Sequence, residues 1–221
     1  MALFKKNERK SKQEHKENWG LYVNEDGTLK NKINEQDQDI LASKEEAMLM
    51  VKLARNDSFD FQAFTLEDYK RYHKYLFGSL YEFAGTIRKV NMRKHERVLD
   101  GHSIHYADVE TIEQEANEVF DEMIHYDLFK YHNDPEGQLW FLASHMADLW
   151  KVHIFREGNT RTTFSFMIAY ANAYLELKFD PSRLYGKLDM SIRDALVYAN
   201  KEHDPNMNYL LNYLRMMIVE S

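Results

Sequence analysis

Apolar residues recur at helical spacing along most of the chain. Leu139, Leu142, Met146 and Leu149 predict an amphipathic helix over Pro135–Val152, with Asp134 as its N-cap and Pro135 at the first helical position. Phe164, Met167, Ile168, Ala171 and Leu175 predict a second helix just after it. The polar decapeptide between the two stripes, His153 to Thr162, is therefore a loop that ends on a helix N-terminus. Earlier, a helix is expected over Ser43–Arg55, capped by Ser43, with Glu46 in the capping-box position and Ala47, Met50, Val51 and Ala54 facing inward. Thr65 opens another, whose stripe is Tyr69, Tyr72, Leu76 and Leu80. Asp108–Tyr131 gives a long helix with Val109, Ile112, Ala116, Val119, Phe120 and Met123 inward. Helices over Ser191–His203 and from Pro205 onward close the chain. The period changes between Gly85 and Tyr106, where Asp100-Gly101 lies between short apolar runs and signals a hairpin. Trp19 to Asn34 reads as an ordered but irregular entry segment with a turn at Asp26-Gly27.

Composition sharpens this into a fold class. Eight Gly and three Pro in 221 residues favour long helices over a turn-rich β fold. The expectation is an all-α bundle of about seven or eight helices with one small β-hairpin at about 86–106. With 44% hydrophobic residues the chain can build a sizeable core, read as a single domain over 19–221 behind a basic, disordered tail at 1–18. The formal net charge is −7, and because the tail is basic the body is more acidic still, which makes it a poor partner for nucleic acid. No run approaches the ~18–20 apolar residues of a membrane span, and no signal-peptide pattern opens the chain. The absence of cysteine excludes disulfides, thiolate catalysis and Cys-type zinc sites, and fits a cytoplasmic setting. Metal pairs among the ten histidines are weak: His102 and His105 would point to opposite faces of a strand, and His145 shares a helix face with Leu142 and Leu149.

The loop concentrates the chemistry. Backbone N–H groups and the helix dipole favour a phosphate at such an N-terminus. Gly158 lets the backbone approach an oxyanion, and Asn159 and Thr160 extend the set of N–H donors. Arg161 supplies a planar fork for phosphate oxygens. Glu157 is a hard oxygen ligand suited to Mg²⁺. His153 can take a proton near neutral pH and would deprotonate an attacking hydroxyl.

At these residues the chain resembles the Fic (filamentation induced by cAMP) family of the Fic/Doc superfamily, whose motif reads HPFx[D/E]GNGRxxR. His153, Phe155, Glu157, Gly158, Asn159 and Arg161 match in order and spacing. Ile154, Thr160 and Phe164 depart from it, standing where the family has Pro, the second Gly and the second Arg. The second Arg normally contacts distal phosphates, so its loss bears on the donor nucleotide. Gly27-Thr28-Leu29-Lys30-Asn31-Lys32 and the run from Tyr81 to Arg88 also resemble segments of Fic proteins of the effector and toxin type.

The resemblance implies a Fic fold and a protein adenylyltransferase that moves AMP from ATP to a Ser, Thr or Tyr hydroxyl of a target protein. His153 would be the base, Glu157 the Mg²⁺ ligand, and Gly158, Asn159, Thr160 and Arg161 the nucleotide-binding residues. The hairpin would be a flap that docks the target protein by strand addition. Alternatives are another nucleotidyl- or phosphotransferase of the Fic/Doc type, or a non-catalytic Fic interaction module. The family's inhibitory helix, [S/T]xxxE[G/N], has no good match: Thr111 to Glu115 is followed by Ala116 and belongs to a core helix. Restraint would come from a separate small antitoxin, or be absent. The implied setting is cytoplasmic, or a host cell to which an effector is delivered.

Overall fold

The computed structural model describes residues 18–55, 59–125, 132–180 and 188–219, except for the side chains of 188–191. The proposed tail lies outside these residues apart from Asn18, as does the end of the long helix predicted to reach Tyr131. Among the described residues are seven α-helices: α1 Gln38–Leu53, α2 Leu66–Phe77, α3 Ile112–Ile124, α4 Pro135–Val152, α5 Asn159–Tyr174, α6 Leu188–Asn200 and α7 Asn208–Arg215. Two short strands, β1 Lys178–Phe179 and β2 Ile218–Val219, pair antiparallel and tie the chain's end to the exit of α5.

The bundle is built around α4, which packs against α3, α5, α6 and α7. It is buried on nearly all sides, with Leu139, Leu142, Ala143, Met146, Leu149 and Trp150 almost wholly inaccessible, as a central helix should be. Its start follows the sequence: the Asp134 carboxylate accepts from the Gly137 N–H at 2.9 Å, and Pro135 occupies the first turn. The inward residues expected of α2 and α5 are also in the core, as are those of α3 except Val109, which is half-buried and precedes the helix because α3 starts at Ile112 rather than Asp108.

Two expectations change. Helix α1 starts five residues earlier than Ser43, because Asp37 is the better cap and its carboxylate accepts from the Asp39 and Ile40 N–H groups. Its buried face is Leu41, Glu45 and Leu49, whereas Met50 and Val51 are exposed. A charged residue in the middle of that face hid it from a reading based on apolar spacing. The 86–106 segment doubles back around Asp100, which is left-handed at φ 51°, but carries no strand ladder. A 3₁₀ turn at Arg97–Leu99 lengthens the loop beyond a two-residue hairpin. The turn is closed instead by two backbone bonds, Glu96 N–H to the His102 carbonyl and Gly101 N–H to the Glu96 carbonyl, both at 3.0 Å, and by Lys94 N–H to Ser103 Oγ at 3.1 Å.

Candidate functional site

Helix α4 ends at His153, which takes a left-handed conformation (φ 53°, ψ 55°) rare for a residue with a Cβ. Such a conformation costs on the order of 1 kcal/mol and persists where neighbours enforce it. Here the enforcer is Arg88. Its buried guanidinium donates to the carbonyls of His153 (2.7 Å), Val90 (2.7 Å), Val152 (3.4 Å) and Ala107, and its own N–H donates to the Ile154 carbonyl at 2.9 Å. A cation on the last carbonyls of α4 satisfies acceptors the helix leaves over and complements its dipole.

The loop is then stapled from both ends. The Asn159 amide oxygen accepts from the Phe155 N–H at 2.9 Å, and its NH₂ donates to the Phe155 carbonyl at 2.7 Å. Phe155 is fully buried and stacks on His73 and Tyr69. His73 carries a second staple. Its Nδ1 accepts from the Gly85 N–H at 2.8 Å, so its Nε2–H donates to the Glu157 carbonyl at 2.9 Å. Both bonds need the neutral ring, and burial is the main cause that lowers its pKa to about 4. Gly158 follows at φ 78°, its α-carbon against the Phe77 ring, and opens α5.

The first backbone hydrogen bond of α5 runs from Thr162 N–H to the Gly158 carbonyl at 3.0 Å, so the amides of Asn159 and Thr160 precede the helix's internal bonding. The Thr160 side chain explains why a residue larger than Gly fits: its Oγ1 accepts from the Trp150 indole N–H at 2.9 Å, leaving the backbone as donor. Phe164 is buried in the core and takes no part in the site.

All six residues singled out in the loop, His153, Glu157, Gly158, Asn159, Thr160 and Arg161, line one cavity of about 210 Å³. Two residues from elsewhere complete its wall: Lys94 from the 86–106 segment and Arg193 from α6. The His153 ring stacks on Tyr106, with centroids 4.0 Å apart. Its Nδ1 sits 3.3 Å from the Trp150 carbonyl and its Nε2 is buried with no hydrogen-bond partner. That arrangement is the Nδ1–H tautomer, with the Nε2 lone pair available. Burial, then the charges of Lys94, Arg88 and Arg193, keep its pKa well below the usual histidine value. Glu157 is ionised. Burial would raise its pKa, but Lys94 (3.7 Å), Arg161 (3.9 Å), the Gly158 N–H and Arg156 (3.7 Å) outweigh burial and hold it down to about 2.

Arg161 is where the loop meets α1. Its guanidinium pairs with the buried Glu45 carboxylate and lies over the Phe77 ring at 5.2 Å. Glu45 also accepts from the Tyr81 hydroxyl. Thr111 to Glu115, the segment nearest to the family's inhibitory pattern, lies at the start of α3, where the Glu115 carboxylate accepts from the Thr111 hydroxyl at 2.6 Å. The carboxylate that does reach the loop is Glu45, on a face that apolar spacing could not identify. His145 is packed, with Nδ1 2.8 Å from the Phe141 carbonyl, and no cluster of three metal-binding side chains occurs among the described residues.

Residues 63–171 match the model of the Fic/DOC family. A probable protein adenylyltransferase of Sinorhizobium fredii is 31% identical over 171 residues, covering 75% of this chain and 82% of that protein. The chain belongs to the Fic/DOC family. The fold agrees: the BepC effector of Bartonella tribocorum, solved with AMPPNP, superposes with a TM-score of 0.70 at 19% identity, over 90% of this chain and 97% of that one. The Fic domain of a translocated effector from Bartonella quintana, solved with ADP, gives the same TM-score at 18% identity, over 91% and 95%. In this Fic domain His153 closes the central helix and Gly158 opens the next, so the matched motif residues other than the buried Phe155 line a single cavity.

Proposed function

We propose that the protein is a protein adenylyltransferase that moves AMP from ATP to a Ser, Thr or Tyr hydroxyl of a target protein. The observation that carries this reading is the pairing, in one cavity, of an unpartnered buried imidazole nitrogen with the N-terminus of α5. The acceptor oxygen attacks the α-phosphorus, its proton passes to His153 Nε2, and the bond to the bridging oxygen breaks as pyrophosphate leaves. The amides of Asn159 and Thr160 meet the charge on the transferring phosphate without reorganisation, and the Gly158 amide joins them once its bond to the Glu157 carboxylate opens. His153 is neutral beforehand and therefore able to accept the proton. The anionic substrate offsets Lys94 and Arg193, which removes part of what depresses the ring's basicity.

Glu157, the ionised carboxylate in the cavity wall, would hold Mg²⁺ together with the phosphates, since that ion is usually bound by one or two carboxylates plus substrate oxygens. When bound, the ion would supply charge neutralisation at the phosphates. The target's hydroxyl-bearing segment would approach along residues 86–106, which provide Lys94 to the cavity. A cytoplasmic or host-cell setting belongs to the same proposal, with restraint either supplied by a separate small antitoxin or absent. No helix among the described residues is long and apolar enough to cross a membrane.

The test is incubation of the protein with labelled ATP, GTP, UTP or CTP and Mg²⁺ in a cell lysate, followed by intact mass of the labelled target. Addition of AMP, lost in His153→Ala at unchanged thermal stability, is expected. Addition of phosphate alone would move the assignment to phosphotransfer. A folded His153→Ala with undiminished transfer would remove the imidazole from the mechanism.

A further inference from the structure

Helix α5 carries one basic residue, Arg161, paired with the Glu45 and Glu157 carboxylates, as Lys94 is with Glu157 and Arg193 with Glu96. A polyphosphate seated at that helix needs cations from other elements. The cavity has two. Lys94 comes from the 86–106 segment with its side chain four-fifths buried, and Arg193 comes from α6. Burial lowers the Lys94 pKa, Glu157 opposes that, and the two cations are near enough that the Arg193 charge lowers it further. Glu157, 3.7 Å from Lys94, offsets part of their mutual repulsion, and a further anion between the two cations would offset the rest.

Arg193 is also fixed in advance. Glu96, only 3% exposed, accepts from its Nε at 2.9 Å and its Nη2 at 2.6 Å, and from the Tyr106 hydroxyl at 2.9 Å. Tyr106 is the ring that stacks on His153. Glu96 thus joins the cation from α6 to the imidazole, and Arg97 pairs with Asp194 to tie the same two elements together again. A guanidinium already held in place loses little freedom when it meets an anion. The cavity is small, about 210 Å³ against ~300–1,000 Å³ for drug-sized ligand pockets, which suits a chain of phosphates better than a whole nucleotide.

We propose that Lys94 and Arg193 together bind the phosphates of the donor beyond the one that reacts, and so make this site select nucleoside triphosphates over monophosphates. The inference rests on the nucleotide-transfer reading above. Its test is isothermal titration of the full chain with ATP and with AMP, each with Mg²⁺, for the wild type, Lys94→Gln and the double variant Glu96→Gln/Arg193→Gln. The double variant removes the charge without stranding a buried carboxylate, and thermal melts establish that each variant is folded. Lost contacts to a charged phosphate are worth roughly tenfold or more, so ATP affinity falls by about that factor in each variant while AMP affinity stays within about twofold. Variants that keep the wild-type ratio of ATP to AMP affinity, whether both fall or neither does, overturn the proposal and leave the transfer reading standing. A wild type that binds neither nucleotide overturns both.

Discussion

Replacing Gly158 by Ala tests how tightly the loop is built into the core. Two costs are separable. Holding Ala at φ 78° costs about 1–2 kcal/mol, because a Cβ crowds the backbone in the left-handed region. The added methyl would also lie 2.6 Å from Phe77 Cε2 and 2.7 Å from its Cζ, and Phe77 is itself buried among core side chains. Overpacking of that kind costs about 1–3 kcal/mol, so Gly158→Ala should lose about 2–5 kcal/mol in all. Gly27 is the control: its φ is 89°, but a Cβ there meets nothing within 4 Å, so Gly27→Ala carries the backbone cost alone, about 1–2 kcal/mol. Urea unfolding of both variants, compared by midpoint at unchanged slope, measures the difference. Phe77→Leu closes the argument, because making room should recover about 1 kcal/mol or more in the double variant relative to the sum of the singles. Equal losses for the two alanine variants, with strict additivity in the cycle, would show that Gly158 is not pressed against Phe77.

The staple at His73 sets a pH dependence. Its folded pKa of about 4 lies below the unfolded 6.5, so the native state binds fewer protons between those values and stability falls as pH drops through that window. From pH 7 to 4.5 the loss from this group is about 2–3 kcal/mol, and His73→Gln should flatten that part of the urea-midpoint profile. Glu45→Ala would leave the Tyr81 hydroxyl and the Arg161 guanidinium without their shared buried acceptor, an expected loss of about 3–5 kcal/mol in chemical unfolding, with Glu45→Gln losing less. Thr160→Ala should lose about 1–3 kcal/mol by stranding the buried Trp150 N–H, whereas Thr160→Ser should remain near wild type in the same assay.

The cap and extent of α4 and the turn after it were legible in the chain by itself, because each depends on neighbours a few residues away, whereas α5 starts at Asn159, inside the decapeptide that its polar composition marked as loop. Asp134 caps its own helix, Pro135 starts it, and the apolar stripes on either side bound the loop. The contents of that loop were legible for the same reason, since six chemically specific residues fall within nine positions. What surrounds the loop was not. Glu45, His73, Arg88, Lys94, Glu96 and Arg193 are polar side chains on helices and irregular segments, and nothing in their local spacing marks them as buried. Tertiary packing decided this: it buried each of them wholly or in part, and gave them partners distant in sequence, such as Glu45 with Arg161 and Glu96 with Arg193. A local pattern reports where the main chain turns and which side is apolar. Which buried charge answers which other is settled only when elements far apart in sequence meet, because a buried charge is tolerable only next to its partner.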